Sequence, residues 1–147
     1  MMELGAKLGG EENGGIFYGP HQPVRDGPMS TALMLQILAE ERRPLSALMD
    51  ELPRYYLAKA SVKCPHELKE AALKALKARF EHLRPLTIDG VRVWYGDGSS
   101  VLMRPSGTEP IFRLYAEAKS KERLEELLRG HVAIVREAIE EARREVS

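Results

Sequence analysis

The chain of 147 residues carries 22 Lys and Arg against 22 Asp and Glu, so its formal net charge is zero, and 44% of its residues are hydrophobic. This composition is typical of globular proteins, and the balanced charge argues against binding to nucleic acid or to a membrane surface. The sequence shows no signal peptide, no apolar run near the ~18 residues of a membrane span, and one cysteine, Cys64, which excludes an internal disulfide. We therefore expect a cytoplasmic protein.

The first segment, residues 1–52, contains few elements. Its pattern predicts a glycine-rich loop, a short strand, a polar loop and two helices, at residues 9–15, 16–18, 19–28, 29–41 and 44–52. About fifty residues of this content bury too little apolar surface to form a convincing core alone. Together with the methionine pair at its start, this predicts that the segment is the remainder of a truncated domain.

The second segment, residues 53–147, has a complete pattern. Alternating apolar positions predict a strand at 54–64, and apolar residues recurring every four positions predict a helix after Pro65. A hairpin turning at Asp97 and Gly98, a third strand and a final helix capped by Ser120 complete the order strand, helix, three strands, helix. This order predicts an α+β fold: a four-stranded antiparallel sheet with both helices on one face and the other face open.

The stretch "RPSGTEP", Arg104 to Pro110, connects the last two predicted strands. Two hydroxyls, Ser106 and Thr108, flank Gly107, and Arg104 and Arg113 lie on either side of the turn. Since Phe112 and Leu114 would face the helices, Arg113 would emerge on the open face. Arg104 and Arg113 could then both surround the same position at the turn. Guanidinium groups, hydroxyls and free backbone amides form a phosphate receptor. The alternative is a tight hairpin turn flanked by charges.

The stretch "GGEENGG", residues 9–15, presents Glu11, Glu12 and Asn13 among glycines. It lacks the spacing of a dinucleotide site. Carboxylates and amides suit sugar hydroxyls, which both donate and accept hydrogen bonds. The alternative is a surface loop without a ligand.

Taken together, "GGEENGG", "RDG" at a helix start and "RPSGTEPIFRLYAEA" resemble the α-D-phosphohexomutase family of phosphomannomutases, phosphoglucomutases and phosphoglucosamine mutases. The "GEENGG" form is closest to the archaeal members. The resemblance implies the end of domain 3 over residues 1–52 and a domain 4 resembling the TATA-box-binding protein over residues 53–147. By position, Arg104, Ser106, Gly107 and Thr108 match the loop that binds the non-transferring phosphate, and Arg113 is a further candidate from strand geometry.

The same resemblance implies a sugar-binding role for Glu11 and Asn13. Family members commonly have serine at the position of Asn13 and histidine at that of Gly15, so Gly15 lacks a side-chain contact. The implied reaction is intramolecular phosphotransfer between C1 and C6 of a hexose phosphate (mannose, glucose or glucosamine phosphate) through a bisphosphate. The implied partners are the N-terminal domains of the same enzyme.

Two parts of the family's chemistry have no counterpart in this sequence. The phosphoserine loop of the T-A-S-H-N type and the metal loop of the D-G-D-x-D-R type are absent, and the four histidines show no metal-ligand spacing. We therefore expect no catalytic or metal-binding residue in this chain, no mutase activity from it alone, and Mg²⁺ only in an intact enzyme. The alternative is a free-standing phosphosugar-binding or regulatory module.

Overall fold

The computed structural model describes residues 1–11 and 13–146 of the chain, and it divides into two compact units, Met1–Pro53 and Arg54–Ser147. The first unit has three strands and two helices: β1 (Leu8–Gly10), β2 (Ile16–Tyr18), β3 (Gln22–Arg25), α1 (Gly27–Glu41) and α2 (Leu45–Met49). The second has four strands and two α-helices: β4 (Tyr56–Lys63), α3 (Lys69–Phe80), β5 (Val91–Trp94), β6 (Ser100–Pro105), β7 (Ile111–Ala118) and α4 (Lys121–Val146). Two short 3-10 helices, His66–Leu68 and Glu81–Leu83, flank α3.

In the first unit the strands form an antiparallel sheet in the order β1-β2-β3. The prediction of a polar loop over residues 19–28 is wrong at Gln22–Arg25, which pairs with β2. Asp26 follows that strand and caps α1, since its carboxylate accepts a hydrogen bond from the N–H of Met29 at 2.8 Å. The helix begins at Gly27, two residues earlier than predicted.

The second unit confirms the predicted α+β fold. Its sheet is antiparallel throughout, in the order β4-β7-β6-β5, and the elements follow the predicted order along the chain. Alternate residues of the central strand β7 are buried, namely Phe112, Leu114, Ala116 and Ala118. They pack with Leu76 and Phe80 of α3, so the two helices cover one face of the sheet. The intervening residues of β7 stay partly exposed on the other face.

The last helix begins where the sequence predicted. Ser120 accepts a hydrogen bond on its hydroxyl from the N–H of Arg123 at 3.2 Å, which satisfies one free N–H of the first turn. The helix continues through Gly130 to Val146. At the far edge of the sheet, Trp94 ends β5 half-exposed, and the guanidinium carbon of Arg92 lies 4.9 Å from its ring centroid.

Candidate functional site

Two arginines stand side by side at the mouth of the loop between β6 and β7. The strand register pairs Arg104 with Arg113 and Pro105 with Phe112. Directly paired residues in an antiparallel sheet project from the same face. Since Phe112 is fully buried, Arg113 and its partner Arg104 project from the uncovered face.

The loop itself presents unused donors. Ser106 is buried, its N–H donates to the carbonyl of Ile111 at 2.9 Å, and its hydroxyl accepts from the N–H of Glu109 at 3.2 Å. Within residues 1–11 and 13–146, the backbone N–H groups of Gly107 and Thr108 and the Thr108 hydroxyl have no hydrogen-bond partner. A Cβ at Gly107 would meet nothing within 4 Å. The tip of the loop is therefore open to a ligand from outside.

An open concavity of about 740 Å³ gathers these groups. All five residues predicted to bind phosphate line it: Arg104, Ser106, Gly107, Thr108 and Arg113. Asp89 and Lys69, which were not predicted, line it as well. Its wall thus combines guanidinium groups, hydroxyls and backbone donors with two carboxylates, those of Glu70 and Asp89.

Each arginine of the concavity is paired with one carboxylate. Arg104 donates to Asp89, and Arg113 donates to Glu109 four residues before it. The hydrogen bond to Asp89 raises the pKa of Arg104, and the bond to Glu109 raises that of Arg113. Asp89 and Glu109 are 67% and 54% exposed, and ion pairs this open to water are worth about 0–1 kcal/mol. An entering dianion could displace both.

Gly90 explains why Asp89 reaches Arg104. Gly90 has φ +98°, and a Cβ there would lie 2.4 Å from the Met103 carbonyl oxygen and 2.6 Å from Cβ of Arg104. Only glycine permits this approach of the turn to β6. The turn therefore presses against β6 and places the neighbouring carboxylate against the guanidinium group.

Tyr115 beside the concavity and Lys69 in its wall were not named as site residues from the sequence. The Tyr115 ring lies on the same face as Arg104, with the guanidinium carbon 6.0 Å from its centroid. Lys69 Nζ donates to the backbone carbonyls of Ser106 and Glu109. The alternation of β7 places Tyr115 on the open face with Arg113, but no local pattern links Lys69 to a loop 37 residues away.

The predicted sugar-binding residues lie in the other unit, at the β1–β2 turn. Glu11 N–H donates to the Gly15 carbonyl at 2.8 Å, Gly14 N–H donates to the Glu11 carbonyl at 3.0 Å, and Gly15 N–H donates to Asn13 Oδ1 at 3.3 Å. The turn is thus closed by its own hydrogen bonds. The Glu11 side chain is 43% exposed and lies 3.4 Å from Arg25 Nη1. Glu12 lies outside the described residues.

Gly15 leaves room for Arg25. A Cβ at Gly15 would lie 2.6 Å from Cδ of Arg25 and 2.8 Å from Oε2 of Glu11. The Arg25 stem therefore occupies the space into which a side chain at Gly15 would project. Arg25 was not predicted as a site residue, although "RDG" was singled out as a motif.

The remaining sequence features are structural. Asp97 accepts hydrogen bonds from the N–H and hydroxyl of Ser99, and these lower its pKa to about 2. It therefore stabilises the β5–β6 hairpin. In the described part of the chain, no group of three or more His, Cys, Asp or Glu could hold a metal ion, and no helix is long and apolar enough to cross a membrane.

Comparison with protein families gives a match over each unit. The family model described as phosphoglucomutase/phosphomannomutase, C-terminal domain, matches residues 60–133. The model described as phosphoglucomutase/phosphomannomutase, alpha/beta/alpha domain III, matches residues 1–56.

Individual proteins agree with the family models. A probable phosphoglucosamine mutase of Methanopyrus kandleri is 44% identical over 97% of this chain and 32% of its own length. A phosphoglucosamine/phosphogalactosamine mutase of Sulfurisphaera tokodaii is 46% identical over 79% of this chain and 26% of its own length. A crystal structure of a phosphoglucomutase/phosphomannomutase family protein from Burkholderia thailandensis superposes with a TM-score of 0.70 at 33% identity, over 97% of this chain and 30% of that one.

The chain thus spans about a third of the length of the proteins that it matches. Its two segments correspond to two consecutive domain models of a single family, and the resemblance carried by the quoted motifs is confirmed. The chain belongs to the phosphoglucomutase/phosphomannomutase family.

Proposed function

We propose that this chain is the C-terminal, substrate-binding part of a phosphohexomutase and that its RPSGTEP loop binds the non-transferring phosphate of a hexose phosphate. Residues 1–52 would belong to domain 3 and residues 53–147 to domain 4, in line with the two family matches. The observation that carries the proposal is the convergence of Arg104, Arg113 and the open loop tip in one concavity.

The chemistry of the concavity suits a phosphate. Two guanidinium groups supply planar forks of donors, Ser106 and Thr108 supply hydroxyls, and the free N–H groups of the loop tip add backbone donors. When a phosphate dianion binds, its oxygens would replace the exposed carboxylates of Asp89 and Glu109 as the partners of the two arginines. Before a ligand binds, the same two carboxylates keep the arginines paired and in position.

The proposed reaction explains why such a receptor is useful. In an intact mutase the bisphosphate intermediate must turn over, so each of its two phosphates occupies the same receptor in turn. Arginine, hydroxyl and amide donors recognise the charge and shape of a phosphate and make no demand on the sugar carbon that bears it. The receptor therefore tolerates the reversal that transfer between C1 and C6 requires.

The sugar would be held by the other unit. Glu11 offers an exposed carboxylate and Asn13 an amide, both at the closed β1–β2 turn. Among mannose, glucose and glucosamine phosphates we favour glucosamine phosphate, because the relatives from Methanopyrus kandleri and Sulfurisphaera tokodaii described above are named for hexosamine phosphates. The cytoplasmic location stays a prediction from the sequence.

Mg²⁺ is implied for an intact enzyme. Within residues 1–11 and 13–146 no cluster of carboxylates and histidines fits such an ion, so no step assigned to this chain passes through it. The N-terminal domains of the same enzyme remain the proposed partners, and they would supply the nucleophile and the metal ligands.

Titration of the full chain with glucosamine 6-phosphate tests the proposal. We expect binding at about millimolar concentration, or ~4 kcal/mol, because exposed charges lose most of their strength to water and salt. Amide resonances of residues 106–109 should shift, and more at low salt than at high salt. Arg104→Ala should abolish the shifts, and Arg104→Lys should weaken them, because lysine keeps the charge but loses the fork.

Arg129→Ala is the matched control, since Arg129 is an exposed arginine of α4 that does not line the concavity. Its titration should equal that of the unmodified chain, and Arg113→Ala should fall between it and Arg104→Ala. Should millimolar ligand leave residues 106–109 unmoved at low ionic strength, the loop is only a hairpin turn. Glucosamine without phosphate separates sugar binding from phosphate binding.

A further inference from the structure

Lys69, the first residue of α3, reaches the phosphate loop from the side. Its Nζ lies 2.5 Å from the carbonyl oxygen of Ser106, 2.6 Å from that of Glu109 and 3.1 Å from Nδ1 of His66. An ammonium group has three donors and no acceptor, and Lys69 has three neighbouring acceptors, so all three donors are used. Lys69 therefore has no donor left for a ligand.

The bond to Ser106 fixes the direction of a neighbouring donor. Among the described residues there is no cis peptide bond, and in a planar trans peptide the C=O and the following N–H point in opposite directions. When the Ser106 carbonyl points to Lys69, the N–H of Gly107 must point away from it. Within the loop 106–109, Gly107 and Thr108 are the residues whose backbone N–H has no partner among the described residues, and this N–H is one of those two.

The bond to Glu109 fixes the other end of the loop. The Glu109 carbonyl also accepts from the N–H of Ile111 at 2.8 Å, and Pro110 between them has no N–H. One side chain thus holds the first and fourth residues of the four-residue stretch 106–109. The two residues between them form the open tip.

We propose that Lys69 is a positioning residue, which locks the loop so that the Gly107 and Thr108 amides are already oriented before phosphate binds. The inference rests on the proposed function of the loop and adds a cause for its preorganisation. Binding is tighter when a receptor need not be ordered on binding. Lys69 acts through the loop backbone and does not touch the phosphate.

Lys69→Met in the full chain tests the proposal, since methionine keeps most of the stem and removes the charge and the donors. In the ligand-free protein we expect the amide resonances of Gly107 and Thr108 to move and the Ile111 amide to exchange at least about tenfold faster. Inorganic phosphate and glucosamine 6-phosphate should bind about tenfold more weakly. Lys69→Arg should restore part of the amide protection and part of the phosphate affinity, because a guanidinium can donate to both carbonyls.

Lys74→Met is the matched control, because Lys74 is exposed on the same helix and does not line the concavity. The inference is overturned if Lys69→Met gives the exchange rates and affinity of this control. It is also overturned if Lys69→Met weakens binding while the free loop is unchanged, since Lys69 would then be a direct ligand. If Lys69→Met does not fold, failure of Lys69→Arg to keep the Ile111 amide protected overturns it instead.

The outcomes separate this inference from the proposed function. If the unmodified chain does not bind phosphate, the proposed function fails. The locking of the loop by Lys69 is still supported in that case by faster exchange at Ile111 in Lys69→Met. If the unmodified chain binds phosphate and Lys69→Met has no effect, the proposed function is supported and Lys69 has no part in it.

Discussion

His131 is a polar side chain placed inside the core of the second unit, with 5% of its surface exposed. Its Nδ1 lies 2.7 Å from the Leu127 carbonyl oxygen and its Nε2 lies 2.8 Å from the Tyr95 hydroxyl oxygen, while its ring stacks on Phe80. Because a carbonyl can only accept, Nδ1 carries the proton, and the neutral ring accepts from Tyr95 on Nε2. Burial lowers the pKa of His131, and the charge of Arg123 lowers it further.

This histidine makes the stability of the second unit depend on pH. Its folded pKa lies below the ordinary value of 6.5, so the unfolded chain binds the proton more readily. The stabilising contribution is therefore complete above pH 6.5 and is lost as the pH falls through 6.5 toward the folded pKa. Urea unfolding at pH 7.5, 6.5 and 5.5 should show a decreasing free energy of unfolding.

His131→Gln is the control for that dependence, because glutamine can replace both hydrogen bonds but does not titrate. We expect it to flatten the decline between pH 7.5 and 5.5, whatever its effect at pH 7.5. A decline that persists unchanged in His131→Gln would assign the effect to the other histidines.

Among the elements, the long helix α4 contains one residue, Gly130, whose low helix propensity reduces its stability. Gly130 lies in the middle of Lys121–Val146, is exposed, and a Cβ there would meet nothing within 4 Å. Glycine in a helix costs about 1 kcal/mol relative to alanine, because it loses more backbone freedom on folding. Nothing in the packing of the described residues compensates for this cost.

Gly130→Ala should therefore stabilise the second unit by about 1 kcal/mol and raise its melting temperature by roughly 4–8 °C. Ala133→Gly, on an exposed position of the same helix, should lower the stability by a similar amount. Thermal unfolding followed by circular dichroism measures both. Equal melting temperatures for the two variants would show that helix propensity at this position is irrelevant.

How far the sequence predicts each element depends on whether its signal is local. The alternation of β7 and the four-residue period of α3 follow from burial of one face, so both were predictable. In β3 all four residues are exposed and Pro23 interrupts the pattern, so only the pairing with β2 makes it a strand. The loop residues of the phosphate site form a contiguous motif, whereas Lys69 and Asp89 join it only through the tertiary fold.

At the scale of the whole molecule, the two units differ in how much they bury. No described residue of Met1–Pro53 is buried, while the second unit contains the whole core cluster of buried residues. Each fully buried large apolar side chain contributes roughly 1.5–3 kcal/mol. The apolar burial that holds a domain folded therefore lies in residues 54–147.

We predict that a protein comprising residues 54–147 folds alone and unfolds in a single cooperative transition. Calorimetry should give equal calorimetric and van't Hoff enthalpies. A protein comprising residues 1–53 should show no such transition. An unfolded 54–147 protein, measured beside a folded full chain, would contradict the division.

Trp94 makes this difference between the units observable in the intact chain. It is the only tryptophan among the 147 residues, and it lies in β5 of the second unit with 48% of its surface exposed and Arg92 over its ring. Its emission is an optical signal from one unit alone, whereas far-ultraviolet ellipticity sums the helices of both. A change in ellipticity without a change in Trp94 emission would therefore report the first unit in the intact chain, without any label or cut.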